Sequence, residues 1–250
     1  MAKNTRRYDL IASIGDTCAT SLYLRRNKLQ YASYPLDWVG YDPFLWKIDL
    51  LTHHFADFMN LEDFSPMERP KDGGDVNCDT YINTRTGCCF WHDFPIGIPI
   101  EQSYPSVKEK YRRRIKRLFD RINKSQDILF IWFSPQSNLE DSEIIAGQQK
   151  LAAYFAPRNI NLLIIEDDKT TLEIKEQKLS DKISRIRYHM FSPTPKSIVS
   201  HVLGNVALGT EIFKRLQLKT PWWFAPAHKL IRCIPNQSLK KKLRKKLYNY

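Results

Sequence analysis

The chain has 250 residues, of which 42% are hydrophobic, and a formal net charge of +12. This length can bury a full core, and we expect one α/β domain over residues 1–216 followed by a tail over residues 217–250. No apolar run approaches the ~20 residues of a membrane-spanning helix, and the N-terminus does not resemble a signal peptide. Five cysteines without CxxC spacing argue against a disulfide framework or a zinc site. We therefore expect a cytoplasmic protein that holds no metal and no cofactor.

The first element is a short strand over residues 8–14, which leads through Gly15-Asp16-Thr17-Cys18 into a helix ending near Lys28. Asp16 or Thr17 could cap this helix by accepting free backbone N–H groups of its first turn. The positive end of the helix dipole would stabilise a thiolate at Cys18 and lower its pKa. Cys18 is therefore a candidate nucleophile, and a buried structural thiol is the alternative.

The next part of the chain contains the candidate base. A helix opens at Pro43, residues 62–79 have the composition of a loop, and residues 81–94 form a predicted hairpin that includes His92. Strict alternation along the second strand puts Phe90, His92 and Phe94 on one face and Asp93 on the other. His92 is the best base by residue type, while Asp93 should point away from it.

The remaining elements alternate between helix and strand. Helices are predicted over residues 106–124, 142–155 and 197–216, and apolar strands over residues 128–133, 160–165 and 183–191. This order predicts a central, mostly parallel sheet covered by helices on both faces. Glu166, Asp167 and Asp168 follow one strand; they could bind magnesium, but a solvated acidic turn is the simpler interpretation.

The excess charge belongs to the tail. Eleven of the 39 basic residues lie in residues 212–250, which contain no acidic residue, so the remaining 28 nearly balance the 27 acidic ones. Leu239, Leu243 and Leu247 recur every four residues between basic ones, and an aromatic cluster precedes them. This pattern predicts an amphipathic helix on an anionic membrane surface, and the contributing residues are Trp222, Trp223, Lys240, Lys241, Lys242, Arg244, Lys245 and Lys246. A solvated cationic terminus, docking on the protein's own body and RNA binding are the alternatives; because the body is nearly neutral, a nucleic-acid partner is not favoured.

The residues around Cys18 also resemble a known family. The segments Tyr8-Asp9-Leu10-Ile11, Ser13-Ile14-Gly15-Asp16-Thr17-Cys18 and Tyr34-Pro35-Leu36-Asp37-Trp38 are similar to the opening of a bacterial family described as "putative papain-like cysteine peptidase", of unknown function. His92-Asp93-Phe94 and the basic segment 111–118 look like further blocks, so the resemblance covers about residues 8–165. It implies Cys18 as nucleophile and His92 as general base, with Asp93, Asp37 or Asp167 as the third member.

Other interpretations of this segment stay open. Papain-like enzymes have an antiparallel sheet, whereas residues 128–165 predict a parallel βαβ unit. The Gly-Asp-Thr turn also resembles the first block of Gly-Asp-Ser esterases, with Thr17 in place of their serine. The backbone amides of Gly15, Asp16 and Thr17 could hold either an oxyanion or a phosphate group.

Three functions follow from these patterns. The first is a cysteine peptidase or acyl hydrolase. The second is a transferase or accessory protein of bacterial capsule or lipopolysaccharide synthesis on the inner membrane face, with a glycan substrate. The third is a non-catalytic interaction module.

Overall fold

The computed structural model describes residues 6–40, 43–68, 75–171, 173–194 and 198–247. Its strands, in chain order, are β1 Arg7–Tyr8, β2 Leu10–Ser13, β3 Val39–Gly40, β4 Phe64–Met67, β5 Cys78–Asn83, β6 Cys89–Pro95, β7 Asp127–Ser134, β8 Asn159–Asp167, β9 Lys175–Lys178, β10 Ile183–Tyr188, β11 Val199–Ser200, β12 Gly204–Asn205 and β13 Gln217–Leu218. Its α-helices are α1 Ala19–Arg26, α2 Phe44–Thr52, α3 Ile100–Asn123, α4 Asp141–Tyr154, α5 Val206–Lys214, α6 Phe224–Arg232 and α7 Gln237–Leu247.

The central sheet has the order β2-β7-β8-β10-β9. Its first four strands are parallel, and β9 adds an antiparallel edge to β10. Strand β7 is almost wholly buried, since both faces of a parallel sheet are covered when helices connect its strands. The predicted α/β class and mostly parallel sheet are confirmed, in contrast to the antiparallel sheet of papain-like enzymes.

Alternate side chains of the central sheet point to its opposite faces and pack into two hydrophobic cores. One face of the sheet packs against helices α2, α3 and α4, with Phe130 and Trp132 pointing to that side. The other face packs against α1 and α5, with Ile131 and Phe133 pointing there. Helix α1, which follows β2, and helix α4, which follows β7, therefore lie on opposite faces.

A second sheet, entirely antiparallel, has the order β3-β6-β5-β4. The predicted hairpin is confirmed as β5 and β6. Strand β4 lies inside the stretch 62–79 that was expected to be a loop, so the hairpin belongs to a larger unit.

The predicted helix over residues 197–216 is wrong in its first half. Residues 199–205 form the β11–β12 pair, and α5 begins only at Val206. Gly204 has φ +64°, and the Asn205 side chain accepts the N–H of Leu208 at 3.1 Å, so a turn and an N-cap stand where the helix was expected to continue. Ser197 lies outside the described residues.

Within the described residues, none of the helices is both long and apolar enough to cross a bilayer.

Candidate functional site

Cys18 lies at the carboxyl end of β2, as the N-cap residue of α1. The Oγ1 atom of Thr17 accepts the N–H of Ala19 at 3.3 Å. The carboxylate of Asp16 instead accepts a hydrogen bond from Ser134 Oγ at 2.9 Å, which ties the turn to the end of β7. Of the two predicted capping side chains, Thr17 therefore bonds to the first turn and Asp16 joins neighbouring strands.

The Cys18 thiol does not have the lowered pKa that the helix dipole suggested. Burial raises its pKa above the ordinary value, and this effect outweighs the opposing hydrogen bond from its own backbone N–H. The resting thiol is therefore neutral at pH 7. A group that removes its proton is needed before the sulfur can attack.

This predicts the pH dependence of Cys18 alkylation. Because the folded pKa is raised, the thiolate fraction should increase only above the ~8.5 of a free cysteine. Iodoacetamide rates measured by peptide mass spectrometry should show a midpoint above that of unfolded protein. A midpoint below it would contradict the structure and restore the dipole interpretation.

Two of the three predicted oxyanion amides are already used. The N–H of Gly15 donates to Ser13 Oγ at 3.1 Å, and that of Asp16 continues the parallel ladder to the carbonyl of Phe133 at 3.1 Å. The Gly15 carbonyl accepts a hydrogen bond from the ammonium group of Lys47, whose side chain is fully buried. In the described chain, the N–H of Cys18 donates to its own sulfur, and no hydrogen bond is formed by the N–H of Thr17.

Strand β3 joins this turn to the strand that carries His92. Val39 and Gly40 pair with Phe90 and Cys89 of β6. A methyl group at Gly40 would lie 2.4 Å from the carbonyl oxygen of Asp16 and 2.8 Å from the Trp91 ring, so only glycine permits this approach. Asp16 of the Cys18 turn and Trp91 of β6 therefore both pack closely against Gly40 of this short strand.

His92 lies on β6, two residues beyond Phe90, which pairs with β3. Its ring stands edge-on to Trp38 with centroids 5.8 Å apart, and the Arg25 guanidinium of α1 lies 5.3 Å from that indole. Helix α1, Trp38 and His92 thus form a continuous layer. In the described residues no hydrogen bond joins Cys18 to His92; catalytic hydrogen bonds often tighten only when substrate is bound.

Asp75, which no sequence pattern indicated, is a partner of His92. Its Oδ2 lies 3.8 Å from Nδ1 of His92. The backbone N–H of Asp75 donates to the carbonyl of Trp91 at 3.3 Å, which fixes the carboxylate beside β6. A hydrogen bond from the Asn77 N–H, with a smaller contribution from His92, lowers the Asp75 pKa, so this carboxylate is ionised at pH 7.

Asp93 faces a different environment. It accepts a hydrogen bond from the Tyr111 hydroxyl at 2.7 Å and forms an ion pair with Lys110 at 2.5 Å, and its side chain is 1% exposed. The strict alternation predicted for β6 is wrong, because the β5–β6 register shifts between Asp79 and Tyr81. The resulting bulge turns Asp93 toward Tyr111, the same residue on which Phe90 packs. Asp93 thus stabilises the packing of α3.

The other two candidate carboxylates also have structural partners. Asp37 is fully buried, accepts the Tyr34 N–H at 2.8 Å and the Gln30 amide at 2.6 Å, and has its pKa raised by burial. Asp167 accepts the N–H of Met190 at 2.6 Å. In the described structure neither carboxylate forms a hydrogen bond or an ion pair with His92.

A cleft of about 250 Å³ opens beside Asp16. It lies at the carboxyl ends of β2 and β7, where the following helices go to opposite faces of the sheet, and open α/β sheets bind ligands at such a point. The lining side chains include Asp16, Phe44, Trp132, Ser134, Gln136 and Glu143. No periodic pattern in the sequence indicates this cleft, since strand order is needed to locate it.

One wall of the cleft is held by a buried ion pair. Glu166 is 1% exposed, pairs with Arg185 at 2.5 Å and accepts the Ser137 hydroxyl and the Leu139 N–H. Glu166 is therefore not part of a solvated acidic turn. In the described part of the chain, no three His, Cys, Asp or Glu side chains gather as a metal site would require.

Comparison with known proteins supports the resemblance seen in the sequence. A family model described as "Putative papain-like cysteine peptidase (DUF1796)" matches residues 9–168, which is more than half of the chain. The chain belongs to this family. The family segment contains Cys18, His92 and Asp75 and excludes the tail.

One relative in this comparison is viral. The chain is 26% identical over 134 residues to "Uncharacterized protein R408" of Acanthamoeba polyphaga mimivirus. The matched region covers 49% of this chain and 60% of that protein. No solved structure matches. The bacterial origin expected from the resemblance stays a prediction, as do the catalytic roles of Cys18 and His92.

Proposed function

We propose that this protein is a cysteine hydrolase of peptide or other acyl bonds, with Cys18 as nucleophile and His92 as general base. The observation that carries the proposal is the junction at Gly40, which holds the Cys18 turn against the strand of His92. The family to which the chain belongs is described in the same terms.

Asp75 completes the proposed site. Because its carboxylate faces Nδ1 of His92, a proton on that nitrogen is favoured and Nε2 is left free to accept a proton. When the ring becomes an imidazolium, the negative charge of Asp75 stabilises it. Asp75 is therefore a positioning residue and Asp93 is not required.

The proposed step starts from a neutral thiol. Nε2 of His92 takes the proton of Cys18 while the sulfur forms a bond to the acyl carbon. The carbonyl oxygen becomes the oxyanion, which the Thr17 amide would hold together with the Cys18 amide once that N–H is released from its own sulfur. The imidazolium then protonates the leaving amine or alkoxide as its bond to the acyl carbon breaks. His92 then takes a proton from a water molecule whose oxygen forms a bond to the acyl carbon, the carbon–sulfur bond breaks to release the acid, and the imidazolium returns its proton to the Cys18 sulfur. The cleft beside Asp16 is lined by neither Cys18 nor His92, but it adjoins the Cys18 turn and would bind a part of the substrate away from the reacting bond.

Turnover of model substrates tests this proposal. The full chain should hydrolyse at least one member of a panel of p-nitrophenyl esters and fluorogenic peptide amides, and Cys18→Ala should abolish that activity. Cys233→Ala is the matched control because Cys233 is exposed and outside the family segment, so it should retain full activity. Hydrolysis that survives Cys18→Ala, or none by the unmodified chain, would overturn the proposal.

A further inference from the structure

The apolar face predicted for the tail is largely used inside the protein. Helices α6 and α7 pack together around Phe224, Ile231 and Leu247, with Leu243 against them. Phe224 also packs on Tyr31, with ring centroids 4.7 Å apart, which joins this α6–α7 hairpin to the body. Two of the three leucines spaced four residues apart are therefore not available to a partner.

A different set of apolar side chains faces outward. Trp222 is 88% exposed, Leu230 71%, Leu239 47% and Trp223 38%. Trp223 and Leu230 are seven residues apart, close to two helical turns, so they lie on the same side of α6. Exposed apolar groups concentrated on one short hairpin are characteristic of an interaction surface.

The same hairpin carries unopposed positive charge. Lys229, Arg232, Lys241, Lys242 and Lys246 are exposed, and in the described structure no ion pair joins any of them to a carboxylate. Burial, together with Arg232, Arg244 and Lys28, lowers the pKa of His228, which is consistent with a positive potential around the helices. The side chain of Lys245 lies outside the described residues.

We propose that the α6–α7 hairpin docks on an anionic lipid surface through Trp222, Trp223 and Leu230, with the surrounding lysines and arginines at the headgroups. Indole rings favour the headgroup region, an exposed leucine gains from entering the acyl boundary, and the basic residues match anionic lipid. A nucleic-acid surface would use the charge but would gain nothing from Leu230. The proposal is independent of the hydrolase chemistry.

Vesicle flotation of the full chain tests the surface. We expect binding to vesicles that contain phosphatidylglycerol and none to phosphatidylcholine alone. Leu230→Ser and Trp222→Ser should each weaken binding at least about fivefold, because each removes apolar area from the contact. The double variant Lys241→Glu/Lys242→Glu should weaken it by about tenfold or more.

Matched controls lie on the body of the protein. Trp46→Ser removes another exposed indole and Lys169→Glu reverses another exposed lysine, and both should bind within about twofold of the wild type. Tryptophan fluorescence provides a second measurement. Vesicles with brominated acyl chains should quench part of the emission of the unmodified chain, and that quenched part should be missing in Trp222→Ser.

Three results would overturn the proposal. Leu230→Ser and Trp222→Ser could bind as tightly as the wild type, which would mean that charge attraction alone accounts for the binding. Binding could be equal on neutral and anionic vesicles. Single-stranded RNA could bind more tightly than anionic vesicles at the same salt concentration, which would assign the surface to nucleic acid.

Discussion

We expect His92→Ala to hydrolyse any substrate of the wild-type chain about 10²- to 10⁴-fold more slowly, because the neutral Cys18 thiol would then lack its general base. Added imidazole should restore part of the rate, since it can fill the space left by the ring. The measurement is kcat/KM on the panel substrate that the wild type turns over best. A variant with unchanged kcat/KM would remove His92 from the mechanism.

The same kinetic measurement on carboxylate variants separates the role of Asp75 from that of Asp93. Asp75→Asn should lower kcat/KM by roughly ten- to hundredfold, a smaller loss because its contact with His92 is long and partly exposed. Asp93→Asn should lower the melting temperature and leave kcat/KM of the folded protein nearly unchanged, because its partners are Tyr111 and Lys110. Asp57→Asn, an exposed carboxylate that pairs with Arg85, is the neutral control. If Asp93→Asn lowered kcat/KM more than Asp75→Asn did, Asp93 rather than Asp75 would orient His92.

The second large effect is on stability. Arg185→Met should destabilise the fold by about 3–5 kcal/mol, because it removes the only one of the two neighbouring arginines, in the described structure, that donates hydrogen bonds to the buried Glu166 carboxylate. For a chain of this size the melting temperature should fall by roughly 6–20 °C, measured by calorimetry. Arg187→Met is the matched control, since Arg187 lies 3.7 Å from the same carboxylate but is about one third exposed, and its loss should cost under about 1 kcal/mol.

A double variant shows whether the two charges act as a pair. Glu166→Leu/Arg185→Met removes both buried charges and should cost clearly less than the two single changes added together. Additive losses would mean that Glu166 and Arg185 stabilise the cleft wall through separate partners.

Local pattern was sufficient for the main elements of the fold. The wholly apolar run in β7 and the alternation of strands with helices predicted a covered parallel sheet, because periodicity reflects burial directly. The hairpin and the positions of Cys18 and His92 on a helix start and a strand were also predictable from the sequence. The domain boundary near residue 216 stays a prediction.

The missed features depend on long-range geometry. Asp75 lies in a polar stretch without periodicity, and only the register between Asp75 and Trp91 brings it to His92. The Cys18 pKa was misjudged because the sequence shows the helix start but not the burial of the sulfur. The burial of Leu243 and Leu247 could not be predicted, because an amphipathic pattern does not show whether a partner or the protein's own body covers the apolar face.

The most direct test of the mechanism is to locate the acyl group after a brief reaction with an activated ester and rapid acid quenching. Peptide mass spectrometry should find one acyl group, carried by Cys18, in the wild-type chain and none on that residue in His92→Ala. An acyl group on the exposed Cys233 alone, or equal acylation of Cys18 with and without His92, would contradict the proposed chemistry.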